Sequence, residues 1–267
     1  MNTEETVPRC AQSNLDTVSM FGMTINSVTL SDVFETIDRQ IESREPGYIL
    51  TPNVDHVCEF QESAEFREAY RNGFLILADG MPVLWSGKLL GRPIKEKISG
   101  SDLVYWLSEY AARKGYSIFF FGADEGIAQQ ASEILKEKYP GLKVAGVYSP
   151  PMGFDKDPEL TAEAIRIVKD AQPDICYVAL GSPKQDLWCY RTHKQTGVPV
   201  QVGVGISLNF VTGDVTRAPL WMQRSSLEWV WRLCQEPRRL MRRYLVRDMK
   251  FLPLLWREFW LKREDKA

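Results

Sequence analysis

Ile175-Cys176-Tyr177-Val178-Ala179-Leu180-Gly181-Ser182-Pro183-Lys184-Gln185-Asp186 changes character halfway along its length. An apolar run suited to a strand buried on both faces gives way to a Gly-Ser-Pro turn, and the polar residues after it open a helix. The pattern occurs twice more. Tyr48-Ile49-Leu50 leads into Thr51-Pro52-Asn53-Val54-Asp55-His56, and Phe74-Leu75-Ile76-Leu77-Ala78 leads into Asp79-Gly80-Met81-Pro82. In an open α/β sheet such junctions lie along the carboxyl edge of the strands, where ligands bind. A helix opening there turns N–H groups and a positive dipole end toward the crevice, which suits a diphosphate.

Around the last of these junctions the alternation is regular. Strands are expected at 117–121, 142–148, 175–180 and 198–204, with helices at 125–139, 158–171 and 183–196 between them. Strands separated by helices of this length predict a Rossmann-like, mostly parallel sheet with helices on both faces. Upstream, residues 1–19 lack periodicity and are expected to be flexible. A strand or hairpin is expected over 21–30, then a helix over 31–42 capped by Ser31 or Asp32. Further helices are expected at 55–72, with Asn53 or Asp55 as cap and Asp55 favoured, at 81–90, and at 103–114 behind Ser99-Gly100-Ser101-Asp102. The core is thus 20–216. Beyond it, 217–267 reads as a helical appendage with proline breaks at Pro237 and Pro253.

Charge separates the same two parts. The net charge is −2, yet residues 217–267 hold 13 Lys/Arg against 6 Asp/Glu, and residues 1–216 hold 20 against 29. Five of the eight tryptophans (Trp221, Trp229, Trp231, Trp256, Trp260) lie in the basic part. Arg239, Arg243 and Arg247 recur every fourth residue, with apolar Leu240, Met241, Tyr244 and Leu245 alongside. A cationic stripe with Trp, Phe and Leu is the composition of a helix lying at a membrane surface; a helical layer on the sheet, or a subunit interface in a homo-oligomer, would also use it. The acidic body argues against nucleic acid as a partner. No run approaches the roughly 18 apolar residues that span a bilayer. The five cysteines form no CxxC pair, as expected of free thiols in a reducing cytoplasm. With only His56 and His193 present and no GxSxG, a serine hydrolase triad or a His-based metal cage is disfavoured.

Among residues able to do chemistry, Asp79 stands first. It closes an apolar strand, and Gly80 behind it permits close approach of backbone to a ligand. A carboxylate there suits a general base on a hydroxyl, or equally an N-cap ahead of Pro82. Thr51 and Asn53 are suited to bind a sugar or nucleotide, or to make the turn. Lys184 and Gln185, in a first helical turn, suit phosphate and hydroxyl recognition, or are plain turn residues facing solvent. Gly203-Val204-Gly205 allows a nucleotide to pass close to the backbone, but Leu208 breaks GxGxxG, which disfavours a nicotinamide enzyme. Asp155-Lys156-Asp157 spells DxD, yet Asp157 before Pro158 reads as a helix cap, so neither a metal site nor any cofactor is expected.

Thr51-Pro52-Asn53, Ala78-Asp79-Gly80, Ser99-Gly100-Ser101-Asp102, Gly181-Ser182-Pro183-Lys184-Gln185, Arg217-Ala218-Pro219 and Leu227-Glu228-Trp229, in this order, resemble the WecG/TagA/CpsF glycosyltransferases (glycosyltransferase family 26). The resemblance spans about Phe21 to Arg243. It implies a metal-independent, inverting transferase that moves a sugar (glucose, N-acetylmannosamine or its uronic acid) from a UDP-sugar to a polyprenyl-diphosphate-linked saccharide, in cell-surface or exopolysaccharide synthesis. It implies a cytoplasmic protein, peripheral on the inner face of the membrane, with Asp79 as base and Thr51, Asn53 and Gln185 at the substrate. The tail would dock on an anionic bilayer and supply arginines to the diphosphate, with Arg217, Arg224, Arg232, Arg239 and Arg243 as candidates. Lys97, Ser101, Lys184, Gly203, Gly205 and Asn209 complete the expected substrate set. Two positions depart from the family's pattern. Lys97 stands where arginine is common and loses the planar fork, and Asn209 stands where an acidic residue is expected. A non-catalytic, membrane-associated nucleotide-binding module is the alternative of another class.

Overall fold

The computed structural model describes residues 15–219, 221–222, 227–235, 241 and 248–264. Six strands form one wholly parallel sheet: β3 (Tyr48–Leu50), β4 (Leu75–Ile76), β5 (Ser117–Gly122), β6 (Lys143–Tyr148), β7 (Ile175–Ala179) and β8 (Val200–Gly203), in the order β4-β3-β8-β7-β5-β6. Side chains alternate across a strand, so each apolar run feeds two cores. Phe119 and Phe121 of β5 enter the core shared with α2 (Val54–Glu62), α3 (Ala64–Asn72), α4 (Met81–Leu89), α7 (Pro158–Ala171) and α8 (Lys184–Thr196). Ile118 and Phe120 enter the opposite core, with α1 (Leu30–Ser43), α5 (Gly100–Lys114), α6 (Ile127–Lys138) and α9 (Ser207–Thr212). Burial on both faces is why β5 and β7 read as nearly unbroken apolar runs. The parallel α/β expectation therefore holds.

Several boundaries differ from the sequence reading for local reasons. The hairpin is β1 (Thr17–Met20) with β2 (Met23–Asn26), so it starts inside the stretch expected to be flexible. It covers the edge of β4, where the Asn26 side-chain oxygen accepts the Ile76 N–H at 2.8 Å. Thr29 caps α1, with Asp32 as its reciprocal partner, in place of Ser31 or Asp32 as the cap itself. The helix expected over 55–72 is two helices. Ser63 takes an extended conformation between them, and its hydroxyl accepts the Phe66 N–H. Asp157 caps α7 as expected, accepting from Glu159 and Leu160.

In the appendage, α10 (Glu228–Gln235) and α11 (Phe251–Glu264) are described. Pro253 lies in the first turn of α11, where proline costs no hydrogen bond, so it starts this helix and does not break it. α11 is anchored to the hairpin by Phe251 against Phe21, with ring centroids 5.2 Å apart, and by Glu258 accepting the Phe21 N–H. Its other side shows Leu252, Trp256 and Trp260, four residues apart and exposed. No described helix is long and apolar enough to cross a membrane.

Candidate active site

The turns after β4, β3 and β8 come together at the carboxyl edge of the sheet, under the start of α5. Gly100, the first residue of α5, fits between two of them. A Cβ there would lie 3.2 Å from the Thr51 hydroxyl oxygen and 3.5 Å from the Gly203 carbonyl oxygen. The Asp79 N–H donates to the Pro52 carbonyl at 2.9 Å, and the Ile98 N–H to the Ala78 carbonyl at 3.1 Å. The chain from Lys97 to Gly100 thus runs beside the turn that carries Asp79.

Asp79 does not cap its own helix. Gly80, at φ 93°, is the N-cap of α4, and no side chain bonds there. The Asp79 carboxylate instead accepts the Gly100 N–H at the positive end of α5. It is partly open to solvent. Burial pushes its pKa up to about 7; the Lys97 charge and the Gly100 N–H oppose this, while Glu228 and Asp102 add to it.

A chain of charges surrounds it. Arg217 reaches Asp102 at 2.7 Å and Glu228 at 3.8 Å, and Lys97 lies 3.7 Å from Asp102. Asp102 also accepts the Ser99 hydroxyl at 2.6 Å. Burial pushes Asp102 up, but the Ser99 hydroxyl, Arg217 and Lys97 together hold it below the usual carboxylate range. Asp102 and Glu228 were not among the expected site residues. Both lay within the quoted motifs, but their partners are distant in sequence.

Gln185 is buried, and its side-chain oxygen accepts the Gly205 N–H at 2.8 Å. It therefore fixes the Gly203–Gly205 turn from below. Ser101 meets Ser207 across the α5–α9 contact at 3.4 Å. Asn209 lies in α9, partly exposed, and its carbonyl accepts from Thr212, Gly213 and Val215. Thr51 is buried beside Gly100. Asn53, and not Asp55, caps α2, its side-chain oxygen accepting the Asp55 N–H at 3.0 Å; the oxygen of Asn53 sits one residue before the helix, where Asp55 is already inside it. Lys184 is turned away from these residues, paired with Asp155 at 2.9 Å above the Phe154 ring. That pair uses the first aspartate of the DxD tripeptide and lowers the Asp155 pKa. Of the tail arginines, Arg217 is in the cluster. Arg224, Arg239 and Arg243 lie outside the described residues, as does the side chain of Arg232.

Two hollows lie apart from this cluster. One of about 590 Å³ is lined by Thr17, Thr24, Phe60, Tyr70 and Ile76 among others, and one of about 660 Å³ by Ile165, Lys184, Leu187 and Arg191 among others. Neither contains Asp79.

The arrangement offers a carboxylate able to gain or lose a proton near neutrality, next to cations and the starts of long helices. Such a site can take a proton from a hydroxyl and accommodate the negative charge of a leaving group. Residues 18–265 match the Glycosyl transferase WecG/TagA/CpsF family. The chain is 32% identical over 199 residues, 74% of its length and 75% of the other's, to an N-acetylglucosaminyldiphosphoundecaprenol N-acetyl-beta-D-mannosaminyltransferase of Bacillus spizizenii. It is 29% identical over 213 residues to the Bacillus subtilis protein of that name, covering 80% of this chain and 81% of the relative. The Staphylococcus aureus protein of the same name is 25% identical over 231 residues, covering 86% and 89%.

Proposed function

The chain belongs to the WecG/TagA/CpsF glycosyltransferase family, and from that premise we propose that it moves a sugar from a UDP-sugar to the terminal sugar of a polyprenyl-diphosphate-linked acceptor. The observation that carries this reading is Asp79: uncommitted to its own helix, at the start of α5, with a pKa pushed up to about 7. The acceptor hydroxyl gives its proton to the ionised Asp79 carboxylate as its oxygen attacks the anomeric carbon. The bond from that carbon to the diphosphate oxygen breaks, and UDP leaves with the electron pair. A single displacement inverts the anomeric centre. A base works best when its pKa is close to the working pH, and this carboxyl meets that condition.

Leaving-group charge would be met by the positive ends of α5 and α8, by Lys97 and by tail arginines, with no metal required. Gln185 would hold the Gly203–Gly205 turn in place for the nucleotide. The appendage from Arg217 onward would bring the site to a lipid-borne substrate, with Trp256 and Trp260 at the membrane surface and the protein peripheral on the cytoplasmic face. The relatives' names make N-acetylglucosaminyl-diphospho-undecaprenol the acceptor to test first. With that acceptor in anionic vesicles and UDP-linked glucose, N-acetylmannosamine and N-acetylmannosaminuronate as donors, a disaccharide-lipid product should appear by mass and persist in EDTA. Release of UDP at the same rate with and without acceptor would overturn the transfer.

A further inference from the structure

Behind the candidate site lies a polar group buried between α2, α3 and α8. Asp186, the third residue of α8, is fully buried and follows directly on Gln185. The Tyr70 hydroxyl donates to its Oδ1 at 3.0 Å. His56 of α2, also buried, places Nε2 3.8 Å from the same Oδ1. The other ring nitrogen, Nδ1, is 2.8 Å from Oδ1 of Asn53. Asp55, Cys189 and Tyr48 also face this group, from α2, α8 and β3.

The proton positions follow from what each atom can do. Asn53 must present its oxygen to the α2 N-terminus, since the Asp55 N–H donates to it at 3.0 Å. An amide oxygen only accepts, so His56 Nδ1 at 2.8 Å carries hydrogen and donates. The Asn53 N–H approaches Nδ1 at the longer distance of 3.4 Å. With Nδ1 protonated, Nε2 faces the Asp186 carboxyl across 3.8 Å, and a second proton on the ring would make the two an ion pair. Burial pushes the Asp186 pKa up to about 7.

We propose that His56 and Asp186 are a positioning pair that orients the Asn53 amide at the sugar pocket and ties it to the helix start carrying Gln185. The ring fixes which end of the amide accepts and which end donates toward substrate, and Asp186, held by the Tyr70 hydroxyl, fixes the ring. One segment of the pocket wall, after β3, is thereby registered against another, after β7. The inference rests on the proposed transfer for the role of Asn53.

A double-mutant cycle tests it. Asp186→Asn and His56→Leu should each lower kcat/KM by about 10- to 100-fold, because a small misplacement of a substrate-holding group costs that much. In an Asn53→Ala background the same changes should cost less than about twofold, since a group that acts through Asn53 has nothing left to orient. His56→Asn, whose amide nitrogen stands in for Nδ1, should recover part of the loss seen in His56→Leu. Should Asp186→Asn fail to fold, Tyr70→Phe removes only the hydroxyl that clamps the carboxylate and enters the same cycle. Equal losses in both backgrounds would make the pair scaffolding alone and overturn the proposal. Read on the Kd for UDP-N-acetylmannosamine as well, the cycle needs no turnover, so absence of transfer would sink the proposed reaction without deciding this one.

Discussion

Asp79→Asn should damage catalysis and stabilise the fold, in a pH-dependent way that only a strained carboxyl gives. In the folded chain the Asp79 pKa is pushed up to about 7, against 3.8 for an aspartate in the unfolded chain. Below 3.8 both folded and unfolded states hold the proton, and the group contributes no difference. Between the two values the folded state keeps a proton that the unfolded chain has released, so stability falls as pH rises. Above 7 the cost is constant. The full shift corresponds to about 4 kcal/mol. Asp79 keeps an edge in water, so we expect about 2 kcal/mol, or a Tm difference of about 4–8 °C for a chain of this size. The asparagine is neutral throughout and can still accept the Gly100 N–H. Thermal unfolding of both proteins from pH 4 to pH 8.5 should give curves that meet at the acid end and separate through neutrality, with the variant higher. Turnover should fall by about 10²–10⁴. A variant that is less stable by the same amount at every pH, or that turns over normally, would refute the assignment of a strained base.

The charges around Asp79 should tune it in opposite directions. The acid limb of the kcat/KM profile, near pH 7 in the native protein, should move up in Lys97→Met and down in Glu228→Gln, each by about half to one unit; shifts of the same sign would contradict the cluster. Phe121 stacks on Trp188 at 4.8 Å and meets Phe154 edge-on at 5.9 Å, so Phe121→Ala should cost about 3–5 kcal/mol in chemical denaturation. Because Leu252, Trp256 and Trp260 form the exposed stripe of α11, Trp256→Glu with Trp260→Glu should abolish flotation with anionic vesicles while leaving the Tm within about 2 °C. Undiminished flotation would remove this stripe from the membrane surface.

How far the sequence foretold the structure depends on the range of the forces involved. Phe119–Phe121 and Cys176–Ala179 are apolar without alternation because both faces of the sheet are covered, and that signal is local and strong. Asp157 before Pro158 is equally local, and its capping role follows from the dipeptide. The hairpin from Thr17 is harder to see, since its turn puts Phe21 at φ 56°, a conformation that the sequence does not advertise for phenylalanine. Ser63 hides inside a helical pattern. Neighbours alone could not choose between Asn53 and Asp55 as the α2 cap, because both are good caps and stand only two residues apart. At the site, Asp79, Thr51, Gln185 and the Gly203–Gly205 turn could be found as strand ends. Asp102 with Arg217, Lys184 with Asp155, and His56 with Asp186 are pairs between residues 29 to 130 positions apart in the chain, fixed only once the sheet order is known.

Those distant pairs also say why a basic appendage follows an acidic body. Arg217 is the first residue of that appendage, and it is bonded to Asp102 in the first turn of α5, the same turn whose Gly100 N–H meets Asp79. Glu228, in α10, shares Arg217 and raises the Asp79 pKa. The electrostatic setting of the proposed base is therefore made in part by the C-terminal segment. Removal of everything after Thr216 would withdraw one cation from Asp102 and one anion from Asp79 at once. A carboxyl that owes part of its raised pKa to Glu228 would then become a weaker base, even toward a soluble acceptor that needs no membrane. Truncation should lower turnover with a short-chain, water-soluble prenyl-diphosphate sugar and shift its acid limb downward. If the tail served only to reach the bilayer, that soluble substrate would be processed at the full rate.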